Sequence, residues 1–485
     1  MSGSFAQLSE RVKGFSMVLW LEWVRCAHAL RGACRRKQTF LWMVVVLIAW
    51  AARPDLLGVT SLVRASFLDP SAYHLLLNFF HSNALFLPDL AKLWVEFVLA
   101  TFAPVVESGR LVFVADGIKV GKEGKRMPAV KCLHQESENN TKDEFIMGHS
   151  FQSLSLLVTA CTGQVAAVPL LSRICEGLRL GSAAKRKSQI VKLAEMFLEV
   201  AEISKRGGLL VADAYYAART VIRPLLANDH HLISRVRRTA VAYEPAAAST
   251  VKRRGRPRKY GRRVYLRDLF MGWRTATSAP SPVYGEEHIR IEFRCVDRLW
   301  RPVGVLVRFV LVKHPVRGNI ILLCTDTSLD PLAIIRLYGL RFKIEVSFKQ
   351  ALQTIGTYAY HFWMKSMTPI RWGAGDQNLS HRSPEYQQAV MRKLGAYHRY
   401  VQLGCIAQGL MLHLAINFRR EVWASFRSWL RTMKPELIPS EMVVALAMRQ
   451  RLPEFLVDSA RDAPIQKFLL DRADPGRIPG LLLTE

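Results

Sequence analysis

Tyr338-Gly-Leu-Arg341-Phe-Lys-Ile-Glu345-Val-Ser-Phe348-Lys349 sets one carboxylate on a helix face otherwise lined with Tyr, Arg and Lys. At about 100° per residue, Tyr338, Arg341, Glu345 and Lys349 lie one turn apart along a single strip. An apolar strip runs beside it: Leu337, Leu340, Ile344, Phe348, Ala351 and Ile355. Glu345 is therefore expected at the rim of a buried face, next to cations suited to phosphate. The competing reading is an Arg341–Glu345–Lys349 ion-pair ladder on a solvated surface. Asp330-Pro331 supplies an N-cap and a proline at the first helical position, so the helix opens there.

Two further acids bear on the choice. Arg110-Leu-Val-Phe-Val-Ala-Asp116 and Gly207-Gly-Leu-Leu-Val-Ala-Asp213 read as buried strands, each ending in Asp. Strand ends are where open α/β sheets place their ligands. Asp116-Gly117 also suits a turn, and Asp213 also suits a helix cap. Together, three acids at two strand ends and a helix rim could hold two Mg²⁺ ions, hard cations that prefer carboxylate oxygen.

The chain has 485 residues, 50% of them hydrophobic, which predicts a globular protein of two or three domains. Its net charge of +29 points to a polyanionic partner, nucleic acid or an anionic membrane surface. The longest apolar run, Phe40 to Ala52, falls short of the roughly 20 residues a membrane span requires, so a membrane protein is not expected. The opening residues have no signal-peptide pattern. Eight scattered cysteines without a CxxC pair read as reduced thiols in a cytoplasmic protein.

Residues 1–105 carry helical spacing over Val18–Leu30, Phe40–Ala51, Ala72–Phe80 and Leu87–Leu99. Their tryptophans, Trp20, Trp23, Trp42, Trp50 and Trp94, are expected to pack those helices. From 106 to 239 the order is strand, hairpin, helix, strand, helix, strand, which predicts a mixed sheet flanked by helices. Residues 240–324 form a basic, β-rich insertion, 325–367 return to the core, and 368–485 are mainly helical. Within the insertion lies the densest basic run: Lys252, Arg253, Arg254, Arg256, Arg258, Lys259, Arg262 and Arg263 occur in 12 residues without an acid. Gly255-Arg256-Pro257-Arg258 resembles an AT-hook core suited to the minor groove, and a solvated linker is the alternative. His149 lacks a second His at ligand spacing and reads as structural.

The ordered set resembles DDE transposases of the cut-and-paste insertion-sequence type. It comprises Val112-Phe-Val-Ala-Asp116-Gly-Ile-Lys119, Lys131-Cys-Leu-His134-Gln-Glu136, Gly148-His149-Ser-Phe151, Leu209-Leu-Val-Ala-Asp213-Ala-Tyr215, Gly255-Arg-Pro-Arg-Lys-Tyr-Gly261 and Tyr338 to Glu345. The resemblance implies a ribonuclease H-like α/β core with helices on both faces of a mixed sheet. It implies a triad of Asp116, Asp213 and Glu345 on two Mg²⁺ ions, with Mn²⁺ as a substitute. DNA cleavage at transposon ends and strand transfer into target DNA would follow, by a homodimer in a synaptic complex acting at the bacterial nucleoid. Tyr338, Arg341 and Glu345 fit the spacing of the Tyr-Arg-Glu-Lys subgroup, whose flanking residues contact phosphates. Position 352 is Leu where that signature has Lys, and Lys349 is the nearest cation for the role. A transposase-derived DNA-binding protein without catalysis and a plain metal-dependent nuclease are the alternatives.

Overall fold

The computed structural model describes residues 17–135, 143–179, 187–247, 258–273, 276–458 and 463–479. Five strands build the centre: β1 (Arg110–Gly121), β2 (Phe145–Thr159), β3 (Val165–Ile174), β4 (Gly208–Val211) and β5 (His231–Arg235). β1, β2 and β3 pair antiparallel, and β4 and β5 run parallel to β1, giving the spatial order β3-β2-β1-β4-β5. This is the ribonuclease H-like arrangement expected from the sequence. The turn between β2 and β3 contains Gly163 at φ +78°, a left-handed position that suits glycine.

The insertion does not form a separate sheet. Its strand Gly318–Cys324 pairs antiparallel with β5, and Val305–His314, Arg290–Trp300 and Val241–Pro245 continue outward within one 13-stranded sheet. The basic run ends within Tyr260–Tyr265, the antiparallel partner of Val241–Pro245, with Arg262 and Arg263 in that strand. Lys252, Arg253, Arg254 and Arg256 lie outside the described residues.

Side chains along β1 alternate between two cores, as pleating requires. Leu111, Phe113 and Ala115 enter one, and Val112 and Val114 the other. β4 divides likewise, Leu210 to the first and Leu209 and Val211 to the second. Such strands, buried on both faces, read as continuous apolar runs.

The first core joins the sheet to both terminal helical regions. It includes Trp20, Trp23, Trp42, Trp50 and Trp94 near the N-terminus and Tyr400 and Leu410 of the 34-residue helix Pro384–Asn417. Helix Lys37–Ala52 is buried almost all round, which explains its unbroken apolar sequence. Helix Gly58–Ala65, only eight residues long, was not anticipated, although Val59, Leu62 and Val63 bury one face at helical spacing. Among the described residues no single helix is long and apolar enough to cross a membrane. The bent pair Pro384–Asn417 and Arg419–Ser425 passes that test by length and composition, and its stretch Tyr400–Ala415 is buried in the core.

The second core is covered by helix Pro331–Leu340 and helix Lys343–Gln350, through Ile334, Leu337, Leu340 and Ile344. Asp330 Oδ2 caps the first by accepting from Ala333 N at 3.0 Å. The two helices are not the single straight helix the spacing predicts. At Arg341–Phe342 the chain tightens to i→i−3 bonds, Ile344 N to Arg341 O at 3.1 Å and Glu345 N to Phe342 O at 3.0 Å. A π-helical turn, Ala351–Ile355, follows and ends at Gly356 with φ +63°. A Cβ there would collide with the Arg53 guanidinium.

Asp330→Ala removes the only side-chain cap of the Glu345-bearing segment's first helix and is expected to cost about 1 kcal/mol. Asp330→Asn should retain most of that stability, and equal denaturant midpoints for both variants and the parent would contradict the capping role.

Candidate active site

β1 and β4 place two acids at one level. Val114 pairs with Val211, so Asp116 and Asp213 each lie two residues further along adjacent parallel strands. Both share the parity of Val112, Val114, Leu209 and Val211, so both point to the second core's face. That is the face the Glu345 helix covers. Asp116 is still paired to β2, opposite Ser153. Asp213 leaves the ladder and caps a short 3₁₀ turn, its Oδ1 accepting from Tyr215 N at 2.9 Å. Ser234 Oγ holds the Asp213 carbonyl at 2.6 Å from the neighbouring strand. Both local readings of Asp213, cap and strand-end acid, therefore hold.

Arg341 ties helix to sheet. Its Nη1 donates to Asp116 Oδ2 at 3.0 Å, and its Nη2 donates to Glu345 Oε1 at 2.7 Å. The surface-ladder reading thus captures one of two ion pairs; the other crosses to β1. Glu345 side chain is 56% exposed, whereas Arg341 and Asp116 are 21% and 22% exposed. Burial pushes the Asp116 carboxyl up to about 6; Arg341 opposes this, and Asp213 and Glu345 add to it. Burial works against the Arg341 charge, but Asp116, Tyr338, Glu345 and Asp213 outweigh it and hold the guanidinium above its ordinary range.

Tyr338 lies one turn before Arg341, and burial raises its phenol despite Arg341 and Arg235. Arg235 ends β5 beside Asp213 and is exposed. Behind Asp116, Tyr216 Oη donates to Gln152 Oε1 at 2.5 Å, and Gln152 faces Gly117 across the ladder. Tyr216, Gln152 and Arg235 were not anticipated. Their only sequence signal is a polar residue inside or at the end of an otherwise apolar strand or turn.

Lys349 is exposed and away from the acids' ion pairs. Leu352, in the π-helical turn, is 41% exposed. Of the described insertion cations, Arg258 and Lys259 are exposed, Arg262 pairs with Glu244 at 2.8 Å, and Arg263 lies 4.4 Å over the Tyr265 ring. His149 is structural, bonded to Tyr360 Oη at 2.7 Å and Pro128 O at 2.9 Å in full burial. Glu136 lies outside the described residues; His134 is exposed and sits 3.5 Å from Glu144.

The donor set fits a hard divalent cation: three carboxylates, with Arg341 already supplying positive charge between two of them. Among the described residues, the group of three ligand atoms within 4.8 Å of one another is Glu22, Cys26 and His413, not this triad. Arg341 lies between Asp116 and Glu345 instead. Glu22 is fully engaged, by Arg25 at 2.6 Å and His413 at 2.6 Å.

The Asp116 carboxyl titrates higher in the fold than its ordinary 3.8, so its ionisation costs stability. The cost is absent below pH 3.8 and complete above about pH 6. Asp116→Asn is therefore expected to be more stable than the parent at pH 7 without divalent metal, by about 1–3 kcal/mol. The gap should close as the pH falls to 4; a gap that widens on acidification would contradict the burial cost.

A family profile described as DDE superfamily endonuclease matches residues 36–289. The match takes in most of the N-terminal helices, Asp116, Asp213 and part of the insertion, and stops before Glu345. No curated protein matches the chain. With just over half its length matched and a ribonuclease H-like sheet beneath the two aspartates, the chain belongs to the DDE superfamily of endonucleases.

Proposed function

We propose that this endonuclease is a transposase: it cuts DNA at the ends of a mobile element and joins the freed 3′-ends to target DNA, through Asp116, Asp213 and Glu345. The observation that carries this reading is the convergence of all three acids on one cation, Arg341, by direct ion pairs from Asp116 and Glu345 and by the electrostatic influence of Asp213. Two Mg²⁺ ions, or Mn²⁺ in their place, are the proposed cofactors; bound there, they supply Lewis-acid activation of the attacking hydroxyl and stabilisation of the departing oxygen.

The chain's own residues divide the remaining work. Asp116 and Asp213 are fixed by the sheet and define one wall. Glu345, more exposed and on a helix with a tightened first turn, is the acid free to adjust. Arg341, whose planar fork suits carboxylate or phosphate, would be the residue to meet a DNA phosphate if divalent ions were held by Asp116, Asp213 and Glu345. Tyr338 orients Arg341, Lys349 meets the backbone further along the helix, and Arg258, Lys259, Arg262, Arg263 and the rest of the basic run hold duplex DNA nearby. Two copies, each holding one end, would bring the ends together before joining.

Leu352 favours a second reading, a DNA-binding protein that no longer cuts, because the transposase subgroup signature has Lys there. The deciding assay incubates the protein with DNA carrying the gene's flanking inverted repeats and Mg²⁺ or Mn²⁺. Metal-dependent nicks plus joined products support transposition; nicks without joining leave a plain nuclease; binding without nicks leaves the non-cutting protein.

Asp116→Asn, Asp213→Asn and Glu345→Gln should each reduce cutting by at least about 10³-fold while leaving DNA affinity within a few fold. Near-parental cleavage by any one of them removes that acid from the triad. Leu352→Lys adds a cation at an exposed position. It is expected to leave the melting temperature unchanged and to steepen the salt dependence of DNA binding by about one unit of slope.

A further inference from the structure

The 28 residues from Gly356 to Ser383 leave the Glu345-bearing segment and cross the surface as a strap without a helix. The strap's one acid, Asp376, has a side chain only 2% exposed and pairs with Lys131 at 2.8 Å. Lys365, Arg371 and Arg382 are all exposed. The strap's two tryptophans also stand in water, Trp363 at 67% and Trp372 at 75% exposure; outside the strap Trp429 is likewise exposed, whereas Trp20, Trp23, Trp50 and Trp94 are buried.

This exposure is built rather than frayed. Phe362, Met364 and Met367 are buried around Trp363 and anchor the strap from beneath. Met364 N donates to Arg126 O at 2.8 Å, Ile370 N to Lys125 O at 2.6 Å, and Cys132 N to Ala374 O at 2.7 Å. The buried Lys122 donates to the carbonyls of Tyr358 and Tyr360, with Nζ 3.8 Å from the Tyr360 ring centre. The strap is thereby stitched to the chain that leaves β1 five residues after Asp116, on the carboxyl-end side of the parallel strands. A cleft of about 520 Å³ opens there among Trp372, Ile370, Phe145 and Lys125, with Glu123 and Asp143 also lining it.

We propose that this strap binds an unpaired stretch of the DNA substrate, with Trp363 and Trp372 stacking bases while Lys365, Arg371 and Arg382 meet the backbone. Indole faces combined with exposed cations, on a strap whose one acid is buried against Lys131, are the chemistry of single-strand binding. Paired bases hide their faces inside the duplex, so duplex DNA would leave the indoles unused. A second copy of a chain with net charge +29 is a poor occupant for a positively charged strap. The proposal deepens the transposase reading, which requires strand ends to be freed near Asp116.

The test measures fluorescence anisotropy of labelled oligothymidylate and of a labelled blunt duplex, in metal-free buffer, with the full chain. Trp363→Ala/Trp372→Ala is expected to weaken oligothymidylate binding about 10- to 100-fold and duplex binding less than about 3-fold. Trp363→Phe/Trp372→Phe should restore most of the single-strand affinity. Unchanged oligothymidylate affinity in the Ala variant overturns the proposal, as does a changed oligomeric state with affinity intact, which would make the strap a protein interface. Both outcomes leave the endonuclease reading standing, since that rests on the cleavage by Asp116, Asp213 and Glu345 variants.

Discussion

The paired hydrogen bonds from Arg341 to Asp116 and Glu345 are the interaction on which the site depends. Three acids gathered at one end of a sheet repel one another, and burial makes the repulsion stronger because less water screens it. The guanidinium offsets this from the middle and joins Glu345, the more exposed acid, to the strand that carries Asp116. Arg341 is thus a strut between strand and helix, a role that a lysine's single point charge would fill less well.

The two cores divide support from chemistry. The first, filled by tryptophans and by helices from both ends of the chain, backs one face of the sheet and makes β1 and β4 rigid. The second, under helices Pro331–Leu340 and Lys343–Gln350, brings Glu345 over the other face. Asp116 thus lies on a strand, Asp213 just past the end of one, and Glu345 on a helix packed over the same face of the sheet. The i→i−3 bonds at Arg341–Phe342 and the π-helical turn at Ala351–Ile355 bracket that helix and set where it begins and ends.

Much of this was readable from residue order because local and global signals agree. The Val112–Asp116 and Leu209–Asp213 runs announce doubly buried strands, and Asp330-Pro331 announces the helix start. Glu345 lies beyond the family profile's match, and its signals were helical spacing together with the likeness to the Tyr-Arg-Glu-Lys signature. The tightening at Arg341–Phe342 was not readable, because Arg and Phe are ordinary helix residues. Nor was the shared core of the two termini, since the buried faces of Lys37–Ala52 and Pro384–Asn417 reveal that they are covered but not by what. The extended anchoring of Gly356–Ser383 was hidden for a like reason. It rests on backbone hydrogen bonds to Lys125, Arg126 and Cys132, which side-chain sequence does not encode.

The central claim, that the three acids form one cation site guarded by Arg341, is tested most directly by locating Mn²⁺ through its anomalous scattering in crystals of the protein soaked with the ion. The account predicts anomalous peaks within bonding distance of Asp116, Asp213 and Glu345, with the Arg341 guanidinium displaced from Asp116. Mn²⁺ bound elsewhere while Arg341 stays between Asp116 and Glu345 would contradict it.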